Sequence, residues 1–323
     1  RDLHSFPTRR SSDLRLKIVY MGSPDFAVPP LQALLDADHA VTLVVTQPDR
    51  PKGRKGGLAP TAVKAFALAK NLPVLSPEKV NTEAALAAIK KAEPDLVVVT
   101  AFGQILKEEL LRLAPLGAVN IHASLLPAYR GAAPIHWAII NGETQTGVTT
   151  MYMDAGLDTG DMILRQAIAI EPGDTTGALH DKLAALGSKL IVATVDLIAD
   201  GLAPRTPQPS TGSSYAPKIT RAVERINWQK NNRAINNLIR GLSPAPAAYT
   251  MYRDQPFKII AAGLTDANQG LPAGTVYKPS NNKVAVSCGE GALELLEVQP
   301  AGKGKMPALA WWNGQKAVMA LFS

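Results

Sequence analysis

Two side chains in the run Asn-Ile-His-Ala-Ser-Leu-Leu-Pro at 120–127 carry functional groups suited to acyl transfer. Asn120 and His122 stand two residues apart, so on a strand both project from one face. The run closes an apolar stretch that begins near Ala118. That puts the pair at the carboxyl end of a strand, where open α/β sheets form their ligand crevices. An amide and an imidazole facing one crevice can hold a carbonyl oxygen as charge builds on it, and the imidazole can also move a proton. The alternative reading is structural, a hydrogen-bonded strand-end histidine beside a turn asparagine.

A second group of residues adds a carboxylate. Asp-Ala-Gly-Leu-Asp-Thr-Gly-Asp at 154–161 follows directly on the strand-like segment 147–153. Its glycines let the loop pass close to a ligand, and an acid delivered there, such as Asp158, can orient or charge an imidazole. The spacing of the acids does not follow the calcium-loop pattern, so no metal is expected. A solvated turn is the bland alternative.

These groups need a frame. Buried-strand runs at 16–21, 41–46, 73–75 and 96–100 alternate with helical patterns opening at Pro29-Pro30 and covering 61–71 and 82–92. Such alternation predicts an α/β fold with a Rossmann-like, doubly wound, largely parallel sheet. Gly22 is not part of a Gly-x-Gly-x-x-Gly fingerprint, so a dinucleotide is not indicated. Strands at 147–153 and 163–170 precede a helix at 175–199, whose Leu179, Leu183, Leu186, Leu190 and Val195 recur at helical spacing and read as core. Composition then shifts: 201–218 holds Gly201, Pro204, Pro207, Pro209 and Gly212 among small polar residues and reads as a linker. Beyond it, a helix over 231–242 with Arg233 and Arg240 on polar positions leads into short strands at 248–252, 257–262, 275–277, 283–287 and 292–298. That pattern predicts a small OB-like β-barrel domain. The domains expected are therefore 15–200, the linker 201–218, and 219–323. Residues 1–14 lack apolar periodicity and read as a non-native leader; Asp2, Pro7 and Asp13 argue against an amphipathic transit helix.

The 323 residues are 46% hydrophobic, with a single cysteine, Cys288, which excludes an intramolecular disulfide framework. No apolar run is long enough to span a bilayer, so no membrane association and a cytoplasmic setting are expected, a bacterial cytosol ahead of an organellar matrix. The net charge of +7 is unevenly placed: 219–323 holds 12 Lys/Arg against 6 Asp/Glu, whereas 15–218 is balanced at 19 each. A basic module joined to a neutral one suggests a polyanionic partner. The segment 49–57, Asp-Arg-Pro-Lys-Gly-Arg-Lys-Gly-Gly, adds four cations and three glycines between a strand and a helix. It reads either as a surface loop or as a cationic finger.

Taken together, Asn-x-His-x-Ser-Leu-Leu-Pro, the following Tyr-Arg-Gly-Ala-Ala-Pro-Ile at 129–135 and the acidic loop resemble the folate-dependent formyltransferases from about Arg15 onward. That family often has glycine where this chain has Ala123, a difference of one methyl group. The resemblance implies transfer of a formyl group from 10-formyltetrahydrofolate to the α-amino group of methionine on initiator tRNA. It makes Asn120 and His122 the oxyanion donors and His122 the proton carrier, with Asp158 positioning His122 and assisting amine deprotonation. It further implies a folate pocket lined by Phe102, Gly103, Ile105, Ser124, Leu125, Leu126 and Pro127. Arg50, Lys52, Arg54 and Lys55 become a tRNA-binding loop, with Arg54 matching the family's key arginine, and the basic barrel becomes a tRNA-binding domain. A monomer with no protein partner is expected. The rival within the superfamily is a small-molecule formyltransferase or a formyltetrahydrofolate hydrolase; from another class, a noncatalytic tRNA- or folate-binding protein.

Overall fold

The computed structural model describes residues 15–51, 56–267, 269–315 and 319–323. The expected leader 1–14 and Lys52, Arg54 and Lys55 of the basic loop lie outside the described residues. By packing, the chain forms two compact units that interleave in sequence. One holds residues up to His122 together with Val148–Gln166 and Ala184–Ser210; the other holds Ala123–Gly147, Ala167–Leu183 and Thr211–Ser323.

The first unit is built on a seven-stranded sheet, in the order Val74–Leu75, Ala40–Val45, Lys17–Gly22, Leu96–Thr100, Ala118–His122, Gln145–Tyr152, Met162–Ala169. The first five strands run parallel, and Gln145–Tyr152 is antiparallel to Ala118–His122. The Leu96–Thr100 and Ala118–His122 strands are buried throughout, as strands covered on both faces must be. Their Val/Ile-rich sequences suit that environment. Helices Val28–Asp36, Ala62–Ala69 and Glu83–Lys91 connect the strands. Thr61 and Thr82 cap the latter two, their hydroxyls accepting from the Lys64 and Ala85 amides. The long helix runs Thr176–Ala199, and the five apolar positions read from its spacing are all buried.

In the second unit, strands Ala248–Tyr252, Gln255–Thr265, Ala292–Gln299, Lys283–Ser287, Thr275–Ser280 and Ala320–Leu321 lie side by side in antiparallel order. Reciprocal backbone bonds between Met251 and Ser323, at 2.9 and 3.1 Å, join the last strand back to the first, so the sheet curls into the expected barrel. Trp228, Phe257, Trp311, Trp312 and Phe322 fill its core.

The segments 123–147 and 167–183 pack with the barrel, although they precede the linker in sequence. The cause is local. Helix Pro134–Ile140 lies against Asn232–Gly241 so closely that a methyl group on Gly241 would stand 2.6 Å from Cγ1 of Ile140. Arg240, expected on a polar face, instead donates to the carbonyls of Glu171 and Asp174 at 3.3 and 3.1 Å, which ties 171–174 to the same helix. The change of unit then falls at 210/211, inside the stretch expected to be a linker. Among the described residues no helix is long and apolar enough to cross a membrane.

Candidate active site

Asn120 and His122 end the Ala118–His122 strand and are both buried. Asn120 is flanked in register by Val99 on one side and Met151 on the other, and His122 faces Thr149. The strand therefore delivers both polar side chains from an apolar ladder. Asp158 comes from the loop beyond Gln145–Tyr152, and its Oδ2 lies 3.7 Å from Nδ1 of His122, with only 6% of the histidine and 15% of the aspartate side chain exposed. That separation is longer than a tight hydrogen bond.

The loop that carries Asp158 is held by its own bonds. Asp154 accepts from the Gly156 amide at 3.0 Å and from the Thr159 hydroxyl at 2.8 and 2.9 Å. Gly160 passes against the strand so tightly that a Cβ there would stand 1.8 Å from the Tyr152 carbonyl oxygen. Asp158 itself adopts a left-handed backbone, φ +54°, which costs a non-glycine residue about 1 kcal/mol or more and persists only where neighbours impose it.

The segment after Leu96–Thr100 turns sharply at the same sheet edge, with Ala101 at φ +47° and Gly103 at φ +86°. Of the residues expected to line a folate, Phe102 is 2% exposed and packs into the core, so only its backbone is available, whereas Ile105 is 84% exposed. The Phe102 carbonyl accepts from the Ser23 hydroxyl and from Nε2 of Gln47, both at 3.1 Å. Gln47, Asn81, Gly103, Gln104, Ile105 and Lys107 help line an open cleft of about 480 Å³ beside this turn. Ser124, Leu125, Leu126 and Pro127 belong to the second unit. There Leu126 is fully buried and Ser124 donates to the Ala128 carbonyl at 2.6 Å. Nearby in that unit, the Tyr129 hydroxyl donates to Glu143 at 2.6 Å; burial first, and this bond second, push its pKa up to about 12, so the phenol stays protonated and is not a base.

The root of the basic loop is a two-residue ribbon, Arg50–Pro51 paired with Leu58–Ala59. Arg50 forms an exposed ion pair with Glu78 at 2.7 Å, a kind of contact that contributes little in solvent. The structure thus brings Asp158 to His122 at the end of the strand that also carries Asn120. Sequence reasoning missed Ser23, Gln47 and Gln208. The first two follow separate strands and both donate to the single Phe102 carbonyl, and Gln208 sits between Pro207 and Pro209, where no periodicity singles it out. Among the described residues no group of three His, Cys, Asp or Glu side chains could hold a metal ion.

Comparison with known proteins converges on one family. The profile described as formyl transferase matches residues 15–195, and that described as formyl transferase, C-terminal domain, matches 218–316. The methionyl-tRNA formyltransferase of Moorella thermoacetica is 48% identical over 303 residues, covering 94% of this chain and 97% of that protein. The one from Acetivibrio thermocellus is 45% identical over 302 residues, covering 93% and 97%. Among solved structures, an N-formyltransferase from Helicobacter canadensis in complex with folinic acid and dTDP-3-aminofucose superposes with a TM-score of 0.65 at 21% identity, covering 88% of this chain and 99% of that one. HypX from Aquifex aeolicus in complex with tetrahydrofolic acid gives 0.65 at 14% identity, covering 96% and 51%. The structural likenesses show the fold. With identity near one half along almost the full length of both sequences, the chain belongs to the methionyl-tRNA formyltransferase family.

Proposed function

We propose that this chain, as a monomer in the cytoplasm, transfers the formyl group of 10-formyltetrahydrofolate to the amino group of methionyl initiator tRNA. The observation that carries the chemistry is the buried His122–Asp158 contact at 3.7 Å, beyond the strand that also delivers Asn120. The methionyl nitrogen attacks the formyl carbon, forming the new C–N bond. Charge then collects on the formyl oxygen, where the Asn120 amide and the His122 imidazole stabilise it. As the bond to the folate nitrogen breaks, a proton leaves the attacking amine and one reaches the departing nitrogen. Asp158 assists the first transfer and orients His122 for the second. Proximity supplies the remainder, since both reactants are held by groups remote from the reacting atoms.

The folate reading rests on the turn at 101–106. Its exposed Ile105, the backbone at Gly103 and the adjoining cleft with its amides and lysines suit a flat heteroaromatic ring with an anionic tail. The Ser-Leu-Leu-Pro run at 124–127 is assigned to folate by its resemblance to the family motif. For tRNA, the basic loop 50–55 and the basic stretch 219–323 carry the reading, with catalytic, linker and tRNA-binding portions at 15–200, 201–218 and 219–323. An acceptor panel tests it: 10-formyltetrahydrofolate with charged initiator tRNA, an amino-sugar nucleotide, glycinamide ribonucleotide, or water alone. Formylation of the tRNA alone is expected; formylation of a small acceptor in its place would overturn the reading.

A further inference from the structure

The segment expected to be a plain linker grips the catalytic loop. Met162 and Thr206 exchange backbone bonds at 2.8 and 3.0 Å, and the Arg205 guanidinium lies 3.6 Å above the ring of Tyr152. Two residues further on, Nε2 of Gln208 donates to the carbonyl of Asp158 at 2.8 Å and to that of Gly160 at 2.9 Å. The same nitrogen lies 3.9 Å from Sδ of Met151, the residue paired with Asn120. All these groups lie within the first compact unit.

We propose that Gln208 is a positioning residue, holding the backbone of the Asp154–Asp161 loop so that the Asp158 carboxylate stays within reach of His122. A carboxamide nitrogen has two hydrogens, and here they meet two carbonyls that flank Thr159. Both carbonyls belong to a stretch whose conformation is otherwise unfavourable, because Asp158 is left-handed. Without the two donors the loop has a lower-energy backbone to relax into, and relaxation would carry the carboxylate away from an imidazole only 3.7 Å distant. The Thr206 bridge and the Arg205 stack bring the chain to the point from which Gln208 reaches both carbonyls. Glutamate at this position would have the same length but only acceptors, and would repel the carbonyls. Methionine would fill the space and donate nothing.

This inference rests on the role given to Asp158, so its test separates the two. Gln208→Met and Gln208→Glu are made alone and in an Asp158→Asn background. Amide hydrogen exchange is followed along the chain, and single-turnover formylation is followed against folate and tRNA concentration. Exchange should rise within 154–161 and stay unchanged in the sheet. The transfer rate should fall by roughly tenfold to a hundredfold, the scale of a small misplacement of a reacting group. The concentration dependence on both substrates should stay within about twofold. In the Asp158→Asn background, Gln208→Met should cost less than about threefold more, since it acts through the group already removed. Wild-type rates with unchanged exchange would overturn the proposal, as would losses that multiply in the double variant. So would exchange rising throughout the sheet, which would make Gln208 a residue of the fold. If the wild-type protein formylates no tRNA, the functional reading falls, and exchange confined to 154–161 or absent there decides the role of Gln208 by itself.

Discussion

At the scale of single residues, the proposed transfer requires Asn120, His122 and Asp158 to act on one formyl group. Alanine at Asn120, His122 or Asp158 should lower turnover by about a hundredfold or more, the usual loss for an oxyanion donor or a proton carrier. Folate and tRNA binding, measured by equilibrium titration, should stay near wild type; parallel losses of binding and turnover would make these residues structural. Gly160→Ala should be nearly as damaging without touching a reacting atom. Its new methyl group would meet the Tyr152 backbone carbonyl at 1.8 Å, a contact no side-chain rotation can relieve, so the loop carrying Asp158 must shift. Strand spacing places Asn120 and His122 on one face and the glycine-spaced acids mark a loop after the next strand, but it took the family resemblance of the two motifs to join Asp158 to them, and the structure has Asp158 3.7 Å from His122. The side chains that brace the turn at Phe102 and the loop carrying Asp158 were not legible. Ser23, Gln47 and Gln208 act on carbonyls of residues 48 or more positions away, and no spacing rule encodes a side chain that bonds to distant backbone.

At the scale of elements, the parallel sheet and the barrel strands followed from apolar runs and turn residues, and the barrel strand Lys283–Ser287 coincides with its expected span. What the pattern hid was packing partnership. Helix Pro134–Ile140 belongs with Asn232–Gly241 because Gly241 permits close approach, and a single glycine carries no periodic signal. Gly241→Ala should therefore destabilise the protein by roughly 1–3 kcal/mol, the cost of forcing a methyl group into a filled contact. Thermal or urea unfolding reads this directly, and a variant as stable as wild type would show that the contact yields. The basic loop is the other element with its own test. Arg54→Ala should reduce single-turnover formylation at saturating tRNA more than it weakens tRNA binding, because a misplaced amine loses proximity before it loses phosphate contacts. Arg54→Lys should restore only part of the rate, since an ammonium lacks the planar fork of donors. Formylation by Arg54→Ala at the wild-type rate would reduce the loop to a surface connection.

At the scale of the whole molecule, charge and proton balance set two further expectations. With 12 Lys/Arg against 6 Asp/Glu in 219–323, tRNA affinity should weaken steadily as salt rises, and the full chain is the proper material for the measurement. Removing 219–323 would strip the helix Asn232–Gly241 from its partner Pro134–Ile140 and confound affinity with folding. His39 and His136 are both held below the ordinary histidine value of 6.5, in each case chiefly by burial. Below that value the unfolded chain binds protons that the folded chain refuses, so stability is retained above about pH 6.5 and falls as pH drops beneath it. The midpoint of thermal unfolding should decline from pH 7.5 to 5.5, with a shallower slope in His39→Leu. The most direct test of the central claim is a single-turnover time course with 10-formyltetrahydrofolate and charged initiator tRNA, following donor and product together. Each donor consumed should appear as one formylmethionyl-tRNA, at a rate that collapses in Asp158→Ala. Donor consumed without formylated tRNA, or a rate indifferent to Asp158, would contradict it.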